Sequence, residues 1–211
     1  SKLVLWGDGS GAFSNSSGNR STDLRVWPTY VGPQGPGCTF EIIGFGKDIA
    51  WYGDAWGRQR VKGPRSFAPP EALPQVEYGG FFLPNSYLSG VTFGDFNRDG
   101  AVDMAGVLLV DSTPYPLVTL PGPDYRASDC TTSPCAKSPN GGQSIMRSGD
   151  LNRDGSLDLL GVNLFNQLTF FAGRSDGSFL DGRILPNVVG PFAGMTLVDF
   201  DSDGLLDLVG A

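Results

Sequence analysis

The feature of this sequence that most constrains the fold is a polar loop that occurs three times. The loop lies inside three segments that align without gaps, at residues 91–107, 147–162 and 197–210. The first acidic residues of the copies are Asp95, Asp150 and Asp199, so the repeats are spaced by 55 and 49 residues. Each copy has an apolar segment, a nine-residue polar loop and a second apolar segment. This pattern predicts a β-hairpin and not a helix.

The two ends of the chain match the two halves of one repeat. The segment Leu3–Phe13 aligns with Thr169–Phe179, which reads as a third strand and its turn, whereas Ala211 comes just after a second strand. Four repeats in 211 residues give about 53 residues each, close to the observed spacings. We therefore expect an all-β fold, a β-propeller with four blades of four antiparallel strands, in which the two termini share one blade.

This arrangement predicts a single propeller domain over residues 1–211. The expected blades lie near 40–90, 91–146, 147–195, and 196–211 completed by 1–39. In the first of them, residues 40–53 keep two apolar strands but almost no polar loop. The long connections at 59–90 and 111–146 are either binding loops or links to outer strands. The alternative is a larger ring of seven or eight blades that a second chain completes.

The loops carry the residues of a cation site, in the pattern Asp-x-Asn/Asp-x-Asp-Gly-x-x-Asp. Calcium takes six to eight oxygen ligands. In each loop, positions 1, 3, 5 and 9 offer side-chain oxygens, and position 7 offers its backbone carbonyl. The glycine at position 6 permits the turn with positive φ that wraps the chain around an ion. The predicted ligands of three Ca²⁺ sites are Asp95, Asn97, Asp99, Ala101 and Asp103 in loop 1 (95–103); Asp150, Asn152, Asp154, Ser156 and Asp158 in loop 2 (150–158); and Asp199, Asp201, Asp203, Leu205 and Asp207 in loop 3 (199–207).

An EF-hand and a metal-free turn both fit this pattern less well than a β-hairpin calcium loop. A helical EF-hand needs a glutamate at position 12, where this chain has Gly106, Gly161 and Gly210. Aspartate-glycine turns without an ion would leave ten carboxylates crowded in three loops, where like charges repel. The chain has 19 Asp and 3 Glu, and three Ca²⁺ would bring its formal charge of −7 to about −1.

Composition excludes several classes of function. The chain has no histidine, so it has no Ser-His-Asp triad and no histidine-bound zinc. The net charge of −7 disfavours nucleic-acid binding, and no apolar run approaches the roughly 20 residues of a membrane-spanning helix. The sequence begins at Ser1 without a basic and apolar leader, so any signal peptide is expected to be already removed. Cys130 and Cys135 are spaced for a small disulfide loop, with free thiols as the alternative, and this loop would imply secretion into an oxidising compartment.

The loops resemble a known repeat family. Gly94-Asp-Phe-Asn-Arg-Asp-Gly and the Asp-Leu-x-Gly segments at the ends of loops 2 and 3 are similar to the FG-GAP/VCBS repeats of integrin α-subunit propellers and secreted propeller proteins, some of which are lectins. The resemblance implies a non-enzymatic role in carbohydrate binding, adhesion or partner docking. Residues 40–53 depart from it because they lack the calcium loop, so that repeat is expected to bind no ion.

Aromatic residues in the N-terminal third are the candidates for ligand contact. Trp56, between Gly53 and Gly57, is predicted to lie in a polar turn and to be the best exposed. An aromatic face can stack on a sugar while neighbouring polar groups bind its hydroxyls. The candidate sugar-binding residues are Trp6, Trp51, Asp54, Trp56 and Arg58, and the alternative is that the aromatics fill the space between blades. Arg58, Arg60, Lys62 and Arg65 form a basic cluster that belongs either to a solvated loop or to a site for an acidic glycan.

Together these observations predict a secreted, calcium-stabilised lectin that is not an enzyme. Its expected partners are glycans or glycoproteins, and it is expected to be a monomer or a homodimer. One alternative is a polysaccharide lyase or hydrolase that uses carboxylates, although the acids outside the three loops form no close pair in the sequence. The other alternative is a protein-docking module similar to the integrin head.

Overall fold

The structure is a computed structural model that describes most of the C-terminal two thirds of the chain and shorter pieces of the rest. The described residues are 6–7, 13–14, 26–33, 40–50, 53–63, 66–68, 71–73, 77–78, 81–82, 87–109, 115–122, 125, 135–190 and 192–210. All regular structure among them is β-strand, so the all-β prediction is confirmed. They include no helix long and apolar enough to cross a membrane. The chain divides into two compact units, Ser1–Gln75 and Val76–Ala211.

The first unit contains a five-stranded antiparallel sheet and a separate pair of short strands. Its strands are β1 (Trp6–Gly7), β2 (Phe13–Ser14), β3 (Val26–Pro33), β4 (Phe40–Ala50), β5 (Gly53–Gly63), β6 (Ser66–Phe67) and β7 (Glu71–Ala72). The sheet has the order β3-β4-β5-β6, with β7 also paired to β5, whereas β1 pairs with β2. The candidate ligand residues Asp54, Trp56 and Arg58 belong to β5 of this sheet.

One prediction for this unit is wrong. Residues 40–53 were expected to form two short strands, but Phe40–Ala50 form one continuous strand of 11 residues. The strand is hydrogen-bonded to β3 on one side and to β5 on the other. Because the polar loop is missing here, the segment has no turn signal in its middle, and pairing on both sides keeps it extended.

The second unit contains two four-stranded sheets and two hairpins. The first hairpin is β8 (Glu77–Tyr78) with β9 (Phe81–Phe82). Sheet A consists of β10 (Tyr87–Gly94), β11 (Asp103–Leu109), β12 (Tyr115–Leu120) and β13 (Lys137–Ser138), and sheet B of β14 (Gln143–Gly149), β15 (Asp158–Asn163), β16 (Gln167–Phe171) and β17 (Arg183–Val189). The second hairpin is β18 (Met195–Val198) with β19 (Asp207–Gly210).

Sheets A and B have the strand order expected of propeller blades. In each, consecutive strands are antiparallel neighbours, and the nine-residue loop joins the first strand to the second. The connection at 111–146 supplies β12 and β13, so it is at least in part a link to outer strands. The fold is therefore β-propeller-like, while the number of four blades, their bounds and the shared terminal blade stay predictions.

The core of the second unit lies on both faces of sheet B. Leu159 belongs to a buried cluster with Phe96 and Val107 of the sheet A repeat. Its neighbour Leu160 belongs to a second cluster with Met195 of β18. β15 is buried throughout. Since successive side chains of a strand point to opposite faces, its apolar residues pack against a neighbour on each side. This packing sets the three loops in adjacent positions.

Candidate metal centres

The three loops share one backbone conformation. Position 4 has positive φ in each loop, with 61° for Arg98, 61° for Arg153 and 63° for Ser202. The glycine at position 6 has φ values of 85°, 83° and 80° for Gly100, Gly155 and Gly204. A side chain disfavours this region, so the glycine expected from the sequence has its physical reason here.

Hydrogen bonds inside each loop hold the acidic side chains in equivalent places. The position 1 carboxylate accepts from the amide of the position 6 glycine at 3.0 Å in loops 1 and 2 and at 2.9 Å in loop 3. The position 5 carboxylate accepts from the amide of position 7 at 2.7 Å in all three loops. The residues that accept are Asp95, Asp150, Asp199, Asp99, Asp154 and Asp203. The loops are thus closed by their own backbone amides, with the carboxylates turned inward.

The position 9 aspartate ties each loop to the rest of the protein. Asp103 is fully buried, and its Oδ2 accepts from the amides of Phe96 and Asn97 at 2.9 and 3.3 Å. Its Oδ1 accepts from the amide of Gly122, just after β12, at 2.9 Å. Burial raises the pKa of Asp103, and these three hydrogen bonds oppose that shift. The same carboxylate therefore closes the loop and anchors the third strand.

Loop 2 repeats this arrangement, and loop 3 keeps part of it. Asp158 is also fully buried and accepts from the amides of Leu151 and Gly173 at 3.0 and 2.9 Å. Burial raises the pKa of Asp158 as well. In loop 3, Asp207 accepts from the amide of Phe200 at 2.9 Å and is only partly buried.

Loops 2 and 3 each contain a buried carboxylate oxygen that has no hydrogen-bond partner. These atoms are Asp150 Oδ1 and Asp199 Oδ1, both at position 1. In loop 1 the corresponding Asp95 Oδ1 accepts from the amide of Asp99 at 3.0 Å. A buried acceptor without a donor carries an uncompensated desolvation penalty, which a bound cation would remove. The donor set therefore fits a calcium ion in loops 2 and 3.

The side chains at positions 3 and 5 differ between the loops. In loop 3, ligand oxygens of Asp199, Asp201 and Asp207 all lie within 4.8 Å of one another. Among the described residues, loops 1 and 2 form no such group of three acids. There an asparagine at position 3 accepts from the position 5 amide and donates to the position 5 carboxylate. Both distances are 2.9 Å for Asn97 with Asp99, and they are 2.8 and 2.9 Å for Asn152 with Asp154.

Hydrogen bonds lower the pKa of one of these carboxyl groups. The amide of Ser156 and the side chain of Asn152 donate to Asp154 and lower its pKa below the ordinary value of 3.8. A carboxylate is the form that binds a metal ion. The predicted ligand residues of each loop lie together in one turn of nine residues.

The sequence did not reveal two arginines that connect the loops. Arg98, at position 4 of loop 1, donates from Nη2 to the carbonyl of Gly155 in loop 2. Arg153, at position 4 of loop 2, donates from Nη2 to the carbonyl of Asp203 in loop 3 at 3.3 Å. The sequence does show that position 4 is an arginine in loops 1 and 2, whereas it is Ser202 in loop 3. This difference is the signal that could have pointed to the contacts.

The predicted sugar-binding residues lie in the first unit. Trp6 is in β1, Asp54, Trp56 and Arg58 are in β5, and Trp51 lies outside the described residues. The turn predicted around Trp56 is wrong, because this residue lies inside β5 opposite Phe45 of β4. The long β4 strand pairs with this segment and keeps it extended.

The basic cluster of this unit is also different from the prediction. Arg58 Nε lies 3.0 Å from Glu71 Oε2, and Arg60 Nε lies 2.8 Å from Oε1 of the buried Glu41. Both arginines are in β5 and not in a loop, while Arg65 lies outside the described residues. Cross-strand ion pairs formed by glutamates on β4 and β7 therefore occupy the two arginines.

The cysteines are described only in part. Cys135 is disulfide-bonded. Cys130 lies outside the described residues, as does Cys38. The pairing of Cys130 with Cys135 stays a prediction.

The fold and the loops define a repeat protein with β-propeller-like sheets, and in three repeats a candidate cation loop joins the first two strands. Residues 150–210 match the family model of the FG-GAP-like repeat. This segment contains loops 2 and 3, and its similarity to the FG-GAP-like repeat agrees with the resemblance seen in the sequence. No curated protein matches the chain.

Proposed function

We propose that loops 1, 2 and 3 each bind one Ca²⁺ and that the chain is a calcium-stabilised recognition module of the extracellular space. The observation that carries the calcium proposal is the buried, unpartnered Oδ1 of Asp150 and Asp199. Each belongs to an aspartate whose other oxygen already accepts from a glycine amide. A cation is the partner that the free oxygen requires.

Calcium suits these loops better than magnesium. Each loop offers five protein oxygens in a single turn, and calcium accepts six to eight oxygens in flexible geometry. Magnesium demands a near-octahedral shell and keeps several waters. The function of the ion would be structural, because each loop joins the first two strands of a repeat and its position 9 aspartate accepts from backbone amides within the loop.

Calcium titration of purified wild-type protein and two ligand variants tests this proposal. We expect three ions per chain, and two ions for Asp150→Asn or Asp199→Asn, by isothermal titration calorimetry. The matched control is Asp176→Asn, since Asp176 is an exposed residue outside the three loops whose carboxylate accepts from the amide and the hydroxyl of Ser178. At an ion concentration 100 times Kd, each site would add about 2.7 kcal/mol to the free energy of unfolding.

The possible outcomes separate cleanly. Loss of one ion in each ligand variant, with three ions retained in the control, supports the proposal. Absence of binding to wild-type protein at about 10 mM Ca²⁺ overturns it, because even weak extracellular sites have Kd of about 10⁻⁴–10⁻³ M. An equal response to Mg²⁺ would overturn the assignment of calcium.

For the ligand class we propose glycans or glycoproteins, bound without catalysis. The support is the resemblance to propeller lectins and the position of Trp56 and Asp54 in β5, two and four residues before Arg58. The disulfide at Cys135 agrees with secretion, because disulfides persist in oxidising compartments.

A glycan array, run with Ca²⁺ and with EDTA, tests the ligand class. We expect binding that Trp56→Ala weakens at least tenfold, with Phe165→Ala as the control because Phe165 is an exposed aromatic residue of the other unit. Absence of binding to any glycan overturns the lectin proposal. Capture of an extracellular protein that survives deglycosylation would favour a protein-docking module instead, and turnover of polysaccharide would favour an enzyme.

A further inference from the structure

Arginine at position 4 joins each of the first two loops to the next loop. The Arg98 guanidinium donates to the Gly155 carbonyl, and the Arg153 guanidinium donates to the Asp203 carbonyl at 3.3 Å. The partners are 57 and 50 residues apart in sequence, so these are contacts between neighbouring repeats. A hydrogen bond from a charged donor is stronger than a neutral one.

The glycine at position 6 makes room for this contact. A Cβ built on Gly155 would lie 3.0 Å from the nearer Arg98 nitrogen, and one built on Gly204 would lie 3.0 Å from the Arg153 nitrogen. The same glycines have positive φ. The choice of glycine at position 6 of loops 2 and 3 therefore has two causes. One is the positive φ of the turn, and the other is the close approach of the arginine from the preceding loop.

A second contact follows the same order along the chain. The position 8 leucines pack over the glycines that precede the previous loop, because a Cβ built on Gly94 would lie 2.7 Å from Leu157 Cδ1, and one on Gly149 would lie 2.6 Å from Leu206 Cδ1. Loop 3 receives Arg153, but it has Val198 in place of the preceding glycine and Ser202 in place of the arginine at position 4. Among the described residues, the series of contacts therefore runs from loop 1 to loop 2 and from loop 2 to loop 3.

We propose that Arg98 and Arg153 are positioning residues that couple calcium binding between neighbouring loops. The proposal rests on the proposed calcium sites. Arg98 lies between the predicted ligands at positions 3 and 5 and has a positive φ. In this backbone conformation the Asp99 amide donates to the Asn97 side chain, which closes the loop. An ion in loop 1 fixes this closed form and with it the direction of the guanidinium.

At the receiving end, the guanidinium binds the peptide next to a predicted ligand. The Gly155 carbonyl belongs to the peptide that joins Gly155 to Ser156, and the carbonyl of Ser156 is the position 7 ligand of loop 2. Because the guanidinium already holds this peptide, loop 2 loses less conformational entropy when it closes around its own ion. By thermodynamic linkage the coupling is reciprocal, so each of the two ions raises the affinity for the other.

A double-mutant cycle tests the coupling between loops 1 and 2. Calcium is titrated into labelled protein, and the amide resonances of Gly100, Gly155 and Gly204 report the three sites separately, since each amide donates to the position 1 aspartate of its own loop. Loop 1 is disabled with Asp95→Asn, in the wild-type background and in the Arg98→Ala background. The control background is Arg147→Ala, an exposed arginine outside the loops that donates to the adjacent Met146 carbonyl.

We expect Asp95→Asn to weaken calcium binding at loop 2 about fivefold or more with Arg98 present, and less than twofold in the Arg98→Ala background. The Arg147→Ala background should behave as wild type. Equal weakening in the two backgrounds, or no weakening in the wild-type background, overturns the coupling. If wild-type protein binds no calcium, the proposed function fails before this question arises, so the two failures are distinguishable.

Discussion

Phe96 packs edge-on against Phe179, with ring centroids 5.4 Å apart and an angle of 71° between the ring planes. Phe96 is at position 2 of loop 1, and Phe179 follows the turn after β16 of sheet B, so the contact joins two repeats. Both rings are buried, with exposed fractions of 3% and 6%. Phe200, at position 2 of loop 3, is 77% exposed. The same loop position is therefore core in one repeat and surface in another.

This difference predicts unequal effects of the same substitution. Phe96→Ala should lower the free energy of unfolding by about 3–5 kcal/mol, because it leaves a cavity between sheets A and B. Phe200→Ala should change it by about 0.5 kcal/mol or less, as expected of an exposed side chain. Urea denaturation of the two variants measures both values. Equal losses would show that the packing around Phe96 is not the one described.

A second prediction concerns two glycines that differ in their surroundings. A Cβ built on Gly173 would lie 2.1 Å from the carbonyl oxygen of Leu157, whereas one on Gly194 meets no atom within 4 Å. Gly173→Ala should therefore destabilise the protein by about 1–3 kcal/mol, because the backbone of loop 2 must move. Gly194→Ala should be neutral or stabilise by up to about 1 kcal/mol. Thermal melts would contradict this if Gly194→Ala were the more harmful change.

The loops could be predicted from the sequence because their geometry is local. The spacing of aspartates around Gly100, Gly155 and Gly204 fixes which side chains converge, and the glycine supplies the required φ within the same nine residues. Hairpins on either side follow from short apolar segments. These features depend on neighbours in sequence, which a repeat makes visible.

The remainder depends on contacts between distant residues. The continuous β4 strand is set by pairing with both β3 and β5, which no local pattern of residues 40–53 encodes. The same holds for Trp56, whose flanking glycines suggested a turn. Arg98 looked like an ordinary exposed loop residue, and only the packing of sheet B places the Gly155 carbonyl within its reach.

A third prediction separates the two roles of the loop acids. Asp103→Ala removes the acceptor of three backbone amides, so it should lower the free energy of unfolding by about 2–3 kcal/mol even in EDTA. Asp201→Ala removes an exposed acceptor of one amide at 3.2 Å and should cost less than about 1 kcal/mol in EDTA. Denaturant titrations with EDTA measure both. A cost for Asp201→Ala that matches Asp103→Ala would contradict the assigned roles.

A fourth prediction concerns the ion pairs of the first unit. Glu41 is 2% exposed, and Arg60 Nε lies 2.8 Å from its Oε1. Arg60→Ala would leave this buried carboxylate without its cation and should cost about 2–3 kcal/mol, less than a fully buried pair because Arg60 is 38% exposed. Glu71→Ala, which removes an exposed partner, should cost about 1 kcal/mol or less.

Adding Glu41→Gln to Arg60→Ala is the control for this pair. If the buried charge causes the loss, the double variant should recover part of the stability that Arg60→Ala removes. Stability of the double variant equal to or below that of Arg60→Ala would show that the loss comes from packing of the arginine stem instead. Denaturant unfolding of the three proteins gives the comparison.

A fifth prediction is the pH dependence of stability in EDTA. Burial raises the pKa of Asp103 and Asp158 above 3.8, so above that pH the folded state binds more protons than the unfolded state. Their contribution to stability therefore grows as the pH falls through the raised pKa values toward 3.8. Hydrogen bonds from Ser178 lower the pKa of Asp176, so its contribution is lost only as the pH falls further, through its lowered pKa.

Thermal melts in EDTA should thus show stability rising from neutral pH to a maximum at about pH 4 and then falling. Asp158→Asn should flatten the rising part, because it removes one of the two buried carboxyl groups that take up a proton. With saturating Ca²⁺ the direction should reverse, since protons and calcium compete for the same carboxylates. A steady loss of stability from pH 7 to 4 in EDTA, unchanged in Asp158→Asn, would mean that these two buried carboxyl groups do not control the acid response.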